Sequence, residues 1–126
     1  MGGEWVGGEW YVLVEAAYSV TDQAWTLKEK IHVGGYEQAV ARAREVCLSY
    51  RHGEGCGHNV FRLSETSWMV DVTYSTWSTD PEGPRTLSVQ HFRVTVAELV
   101  TTREPAPAEP PEGAPRKGRL RRAFGG

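Results

Sequence analysis

From Trp10 to Val20 an apolar side chain recurs at every second position: Trp10, Val12, Val14, Ala16, Tyr18 and Val20. Only an extended chain places residues i, i+2 and i+4 on one side, so this stretch reads as a strand with one face buried. Thr21-Asp22-Gln23 is a short polar turn. The alternation then resumes, with Trp25, Leu27, Glu29, Ile31 and Val33 against Thr26, Lys28, Lys30 and His32. Two such runs joined by a polar turn predict a β-hairpin.

Gly34-Gly35 ends the alternation, and the period changes to that of a helix. Tyr36, Val40, Ala43, Cys47 and Tyr50 fall on one stripe, with Ala39 and Val46 beside it. Glu37 in the first turn and Arg51/His52 after the last suit the helix dipole, and Gly53 is the expected stop. Beyond a Gly-rich loop at 53–58, Val60 to Leu63 reads as a short strand. Trp68, Val70, Val72 and Tyr74 then share one face of another, with Met69, Asp71, Thr73 and Ser75 on the other. Ser78 to Pro84 reads as a turn-rich loop. Leu87 to Val100 reads as a last strand, whose apolar phase switches from odd (Leu87, Val89) to even (Phe92, Val94, Val96), as a bulge near Gln90/His91 would produce. The order β-β-α-β-β-β predicts an α+β domain, one helix packed on one face of a mainly antiparallel five-stranded sheet. A β-grasp topology, with the first and last strands parallel at the centre, is the alternative.

The formal net charge of −2 averages two unlike parts. Residues 1–100 hold 8 Lys/Arg against 13 Asp/Glu, a net of −5, whereas residues 101–126 hold 6 against 3, a net of +3. Five of the seven prolines lie in that last segment and twelve of the 13 aromatics lie before it. A segment so poor in large apolar residues cannot offset its chain entropy, so 101–126 reads as a disordered, Pro-rich, basic tail. Residues 1–8 read as a flexible lead-in, and 9–100 as the folded unit, a size that buries only about 60–65% of its unfolded surface. No run reaches the roughly 18 apolar residues of a membrane span. Met1-Gly2-Gly3-Glu4-Trp5 has no basic flank or apolar core of a secretory signal, so the expected setting is cytoplasmic and reducing, with no membrane partner.

Eleven Arg against three Lys, with a single Ile and a single Asn, fit a GC-rich genome. The strings Glu9-Trp10-Tyr11-Val12-Leu13-Val14-Glu15 and His91-Phe92-Arg93-Val94-Thr95-Val96-Ala97-Glu98-Leu99, bracketing a helix opened by Gly-Gly, resemble a group of short actinobacterial proteins of unknown function. That resemblance spans about residues 9–100 and implies no activity.

The densest polar cluster is Cys47, His52, Cys56 and His58, with Glu54 between. Two thiols and two imidazoles are the ligand set of a zinc site, but the spacing Cys-x4-His-x3-Cys-x-His lacks the close cysteine pair that a turn brings together. Cys47 also falls on the apolar helix stripe, where a thiol behaves as a small hydrophobe. A Cys47–Cys56 disulfide is a third reading, which a reducing compartment opposes. Gly53-x-Gly55-x-Gly57 follows a helix and precedes a strand, the reverse of a dinucleotide fingerprint. No Ser, Cys or His has a recognisable nucleophile context, and Asp71 and Glu65 read as isolated, solvated carboxylates. No cofactor or catalytic activity is expected.

Arg116, Lys117, Arg119, Arg121 and Arg122 put five cations in seven residues, a local field for a nucleic acid or an acidic partner. Lys117-Gly118-Arg119 after Pro115 resembles a degenerate AT-hook, which implies minor-groove contact. The end, Leu120 to Gly126, resembles the Arg-rich diglycine end of ubiquitin-like modifiers and sulfur carriers, which implies C-terminal activation. Trp10, Trp25, Trp68, Tyr18 and Tyr74 fall on apolar strand faces and are expected in the core. Tyr11, Leu13, Met69 and Trp77 do not, and form the candidate face for a protein partner. Exposed edge strands would also allow a homodimer. The expected function is therefore a non-catalytic binding or adaptor domain that uses its sheet, with the basic tail as a second contact.

Overall fold

The computed structural model of the chain describes residues 7–17, 25–50 and 53–112. The elements run β1 (Glu9–Ala17), β2 (Thr26–Gly34), α1 (Tyr36–Ser49), β3 (Gly57–Ser64), β4 (Ser67–Thr79) and β5 (Glu82–Leu99). They form one five-stranded sheet of order β2-β1-β5-β4-β3 with every neighbour antiparallel. α1 lies on one face, which makes the α+β class explicit. β1 and β5 are neighbours near the centre, as a β-grasp would require, but they run antiparallel from Glu9↔Leu99 to Ala17↔His91. The β-grasp alternative is therefore excluded, and a diglycine carrier loses the fold that would have supported it. Tyr18, Val20 and the turn at 21–23 lie outside the described residues.

Burial follows the alternation. Val12, Val14 and Ala16 of β1, Trp68, Val70 and Val72 of β4, and Phe92, Val94 and Val96 of β5 are buried on the helix side. Ala39, Ala43, Val46 and Cys47 of α1 complete that core. The two fully buried alanines let the helix backbone approach the sheet closely, and the large rings fasten its ends. Trp10 meets Tyr36 edge-on at 4.9 Å and Phe92 meets Tyr50 edge-on at 5.2 Å, the arrangement that ring quadrupoles favour. Gly34, at φ +112, occupies backbone that side-chain-bearing residues rarely adopt, and so permits the sharp passage from β2 into α1. The helix ends at Ser49, ahead of Gly53. Tyr50 is already extended (ψ 114) where its ring turns onto Phe92.

Four register shifts interrupt the ladders: Val33 is extra opposite Trp10/Tyr11, Leu63 is extra in β3 between Arg62↔Trp68 and Ser64↔Ser67, and two more redirect side chains. In β5 the pairs Val72↔Gln90 and Thr73↔Ser88 leave Val89 as an extra residue, one position before the expected bulge. In β2 the pairs Val14↔Glu29 and Glu15↔Leu27 leave Lys28 extra. A bulge shifts the phase by one, so Leu27 and Trp25 leave the helix side and join Glu15 on the other face. Trp25 is thus not a core residue. Tyr74 is not one either: it is exposed, past the Val89 bulge.

Two segments differ from the sequence expectation because main-chain pairing extends strands that lack an apolar signal. β3 begins at Gly57 rather than Val60, its polar Gly57-His58-Asn59 lying against Asp71–Thr73. Ser78 to Pro84 is no open loop. β4 and β5 continue to a two-residue turn, Asp80-Pro81, joined by a cis peptide, with Thr79↔Glu82 as the last pair. Among the described residues no third strand pairs with this outer arm, from Tyr74 to Leu87. Residues 100–112 follow β5 without helix or strand.

Phe92 is the largest side chain in the fully buried set. Phe92→Ala is expected to lower stability by about 3–5 kcal/mol, against at most about 0.5 kcal/mol for Val89→Ala on the exposed arm. Urea unfolding followed by tryptophan fluorescence measures both.

Candidate functional site

α1 leaves the opposite face of the sheet uncovered, and the strand pairings specify what that face presents. One row across it is Leu27–Glu15–Arg93–Met69–Phe61, and the next is Ala17–His91–Asp71–Asn59. Toward the other end lie Leu13 with Lys30 and Tyr11 with His32 and Ala97. Period two along β4 carries Met69, Asp71, Thr73, Ser75 and Trp77 on this same side. The four residues of the candidate partner face, Tyr11, Leu13, Met69 and Trp77, therefore share one face. The first three are half-buried, and Trp77 is 63% exposed near the tip of the arm.

The centre of the face is charged and ordered. Arg93 donates to Glu15 twice, Nε to Oε1 at 3.0 Å and Nη2 to Oε2 at 3.2 Å, a bidentate pair with fixed geometry. That hydrogen bonding raises the Arg93 pKa further above its ordinary value, so the cation is permanent. The Trp25 ring lies 4.7 Å from the guanidinium carbon, a cation–π contact on its other side. Beside them Asp71 accepts from Asn59 Nδ2 at 3.3 Å, and its Oδ1 lies 3.5 Å from His91 Nε2. Asp71 was expected to be isolated and solvated. Instead its side chain is 17% exposed and its Oδ1 is shielded from solvent without a hydrogen bond among the described residues. Nothing in the local sequence signals these pairs, because the partners stand 12 to 78 positions apart and meet only through strand register.

At one end of the face a groove of about 460 Å³ is lined by Tyr11, Leu13, Ala97 and Leu99, with Lys30, Glu98 and Thr102 around it. The Tyr11 ring rests 5.0 Å from the His32 ring, whose Nε2 pairs with Glu9 Oε2. Glu98 Oε2 accepts from the Gly8 N–H at 2.8 Å, which ties the lead-in to this margin. The groove thus has a mainly apolar lining with charges of both signs around it.

The cysteine–histidine cluster is arranged differently. Cys47 is buried in the core and Cys56 is half-buried against it, and both are free thiols, so the disulfide reading does not hold. His58 is exposed on β3, opposite Val72. His52 lies outside the described residues. Among the described residues no three His, Cys, Asp or Glu side chains are placed to hold a metal ion. Arg116, Lys117, Arg119, Arg121 and Arg122 also lie outside the described residues. Among the described residues no helix is long and apolar enough to cross a membrane. Compared with models of protein families, with curated proteins and with solved structures, the chain matches none.

Burial pushes the Cys47 thiol up to about 11 from an ordinary 9.0. The thiolate is the nucleophile, so at pH 8 native Cys47 should resist iodoacetamide while half-buried Cys56 reacts. Mass spectrometry of the alkylated chain before and after unfolding separates the two. The raised value also gives the sign of a pH effect. Above pH 9 the unfolded thiol releases its proton before the native one, so the Cys47 contribution is intact below pH 9 and declines as the pH rises toward 11. Cys47→Ala should flatten that decline in alkaline denaturation curves.

Proposed function

We propose that this chain is a non-catalytic binding module that engages a protein partner through the uncovered sheet face, with the basic run Arg116–Arg122 as a second contact. The observation that carries the proposal is the gathering of Tyr11, Leu13, Met69 and Trp77 on the one face that α1 does not cover. Tyr, Trp, Met and Arg are the residue types enriched at protein interfaces, and here Arg93 and Trp25 stand among them already ordered. Preordered side chains lose little rotamer freedom on binding. The groove beside Tyr11 and Leu13 offers a concave apolar seat, and the charges around it would orient an incoming chain. The basic run would add long-range attraction for an acidic surface, an effect that falls with ionic strength.

The proposal separates the face from the tail. Tyr11→Ala combined with Leu13→Ala should weaken partner binding by at least about tenfold, the loss of roughly 1.4 kcal/mol, while the melting temperature stays within a few degrees. Deleting 101–126 should instead slow association and reduce its salt dependence. Binding kinetics at two salt concentrations, with a partner purified through the wild-type chain, distinguish the two. Should the deletion abolish binding, with the partner a nucleic acid and the Tyr11/Leu13 variant unaffected, the tail rather than the sheet is the functional element.

A further inference from the structure

The charges around the groove at Tyr11 and Leu13 are not equally engaged. Glu9 Oε2 pairs with His32, and Glu98 Oε2 accepts the Gly8 N–H. Lys30 lines the groove, is exposed, and has no ion pair or hydrogen bond among the described residues. Register fixes where each group stands. Lys30 is opposite Leu13, so its side chain rises from the uncovered face beside the apolar lining. Glu98 is opposite Trp10, whose ring meets Tyr36 of α1, so its side chain departs from the other side of the strand. The groove therefore offers half-buried Tyr11, Leu13, Ala97 and Leu99 and, among the described residues, one cation without a partner.

Resting on the assignment of this face to a protein partner, we propose that the groove takes an acidic segment of that partner. A bulky apolar side chain sits between Tyr11, Leu13, Ala97 and Leu99, and an Asp or Glu one or two positions away pairs with Lys30. The apolar lining stabilises a side chain that leaves water, and the ammonium at the rim favours a carboxylate and disfavours a cation. The complementarity extends beyond the groove. Thr102 lines it, so the chain leaves the domain at this margin, and residues 113–126 carry five cations and no acidic side chain. The 14 residues from Thr102 to Arg116 span at most about 50 Å. One acidic partner can thus meet Lys30 and the basic run together, the second contact gaining from the tether. A polypeptide suits the groove better than a fatty acid, because a lining that is only half-buried leaves much of an alkyl chain in water.

Titration of the full ¹⁵N-labelled chain with three capped hexapeptides tests the proposal. Each has a central Leu-Phe, flanked on both sides by two Asp, two Asn or two Lys. The Asp peptide should shift the amides of Tyr11, Leu13, Lys30, Ala97 and Leu99, the Asn peptide should shift them with weaker affinity, and the Lys peptide should bind weakest. Lys30→Gln should lower the affinity for the Asp peptide about three- to fivefold, as loss of one surface ion pair does, and leave the Asn peptide unchanged. Lys30→Arg should keep the preference. Arg62→Gln, the same change of net charge on β3, should leave both affinities unchanged, which separates Lys30 from the overall field. Shifts confined to residues 113–126, an equal loss in Arg62→Gln, or tighter binding of decanoate at the same amides each overturn the proposal. So does a chain whose groove amides answer no peptide but move on Trp5→Ala, since its own Glu4-Trp5 is then the occupant. The partner face is tested apart from this. A partner whose binding falls in Tyr11→Ala/Leu13→Ala but not in Lys30→Gln overturns the acidic segment and leaves the face standing. A partner indifferent to Tyr11→Ala/Leu13→Ala overturns the face itself.

Discussion

One contact sustains this domain: the alanine stripe of α1 against the valine-rich faces of β1 and β5. Ala39 and Ala43 are fully buried there, in one core with Val12, Val14, Val94 and Val96. The strands beneath are brought together from opposite ends of the folded unit, with Glu9 opposite Leu99. Their pairing closes a loop of roughly 90 residues, and burial of apolar surface has to offset that entropy. Small side chains on the helix and branched ones on the strands allow close approach without voids. Trp10–Tyr36 and Phe92–Tyr50 then hold the helix at both ends.

The same contact explains what is left exposed. A helix about 10 Å across spans two or three strands spaced about 4.8 Å apart, and this sheet has five. α1 sits over the centre, so β3 and the outer arm of β4 and β5 receive little cover. Among the described residues no helix lies on the opposite face. There the charged centre, with Arg93 held between Glu15 and Trp25, is ordered by side chains of the sheet itself. A domain with a single helix therefore leaves one face of its sheet without a helix, and the proposal for partner binding follows from that shortage of cover.

The element order and most of the core were legible because period two and period 3.6 record burial directly. Val12, Val14, Ala16, Val70, Val72, Phe92, Val94 and Val96 all lie where the alternation places them. Alternation was less informative where neither face is buried. Ser75 to Thr79 and Glu82 to Thr86 have no apolar phase, so a paired arm read as a loop. It was misleading across the Lys28 bulge, which turns Trp25 from an apparent core ring into a cover for Arg93. Of the candidate residues, Tyr11, Leu13, Met69 and Trp77 were identifiable as off-phase apolar side chains. The pairs Glu15–Arg93 and Asp71–His91 were not, since register is set by long-range pairing that no local window contains.

By itself, the sequence determined the number and kind of elements, the buried side of β1, of β4 as far as Val72 and of β5 from Phe92, and the split between an acidic, aromatic-rich stretch and a basic, Pro-rich end. These depend on local periodicity and composition, which a chain carries before it folds. Only the tertiary structure decided that β1 and β5 run antiparallel and which side chains meet across the uncovered face. Those outcomes depend on which strands become neighbours and in what register. That choice is made by the packing of the whole sheet against one helix.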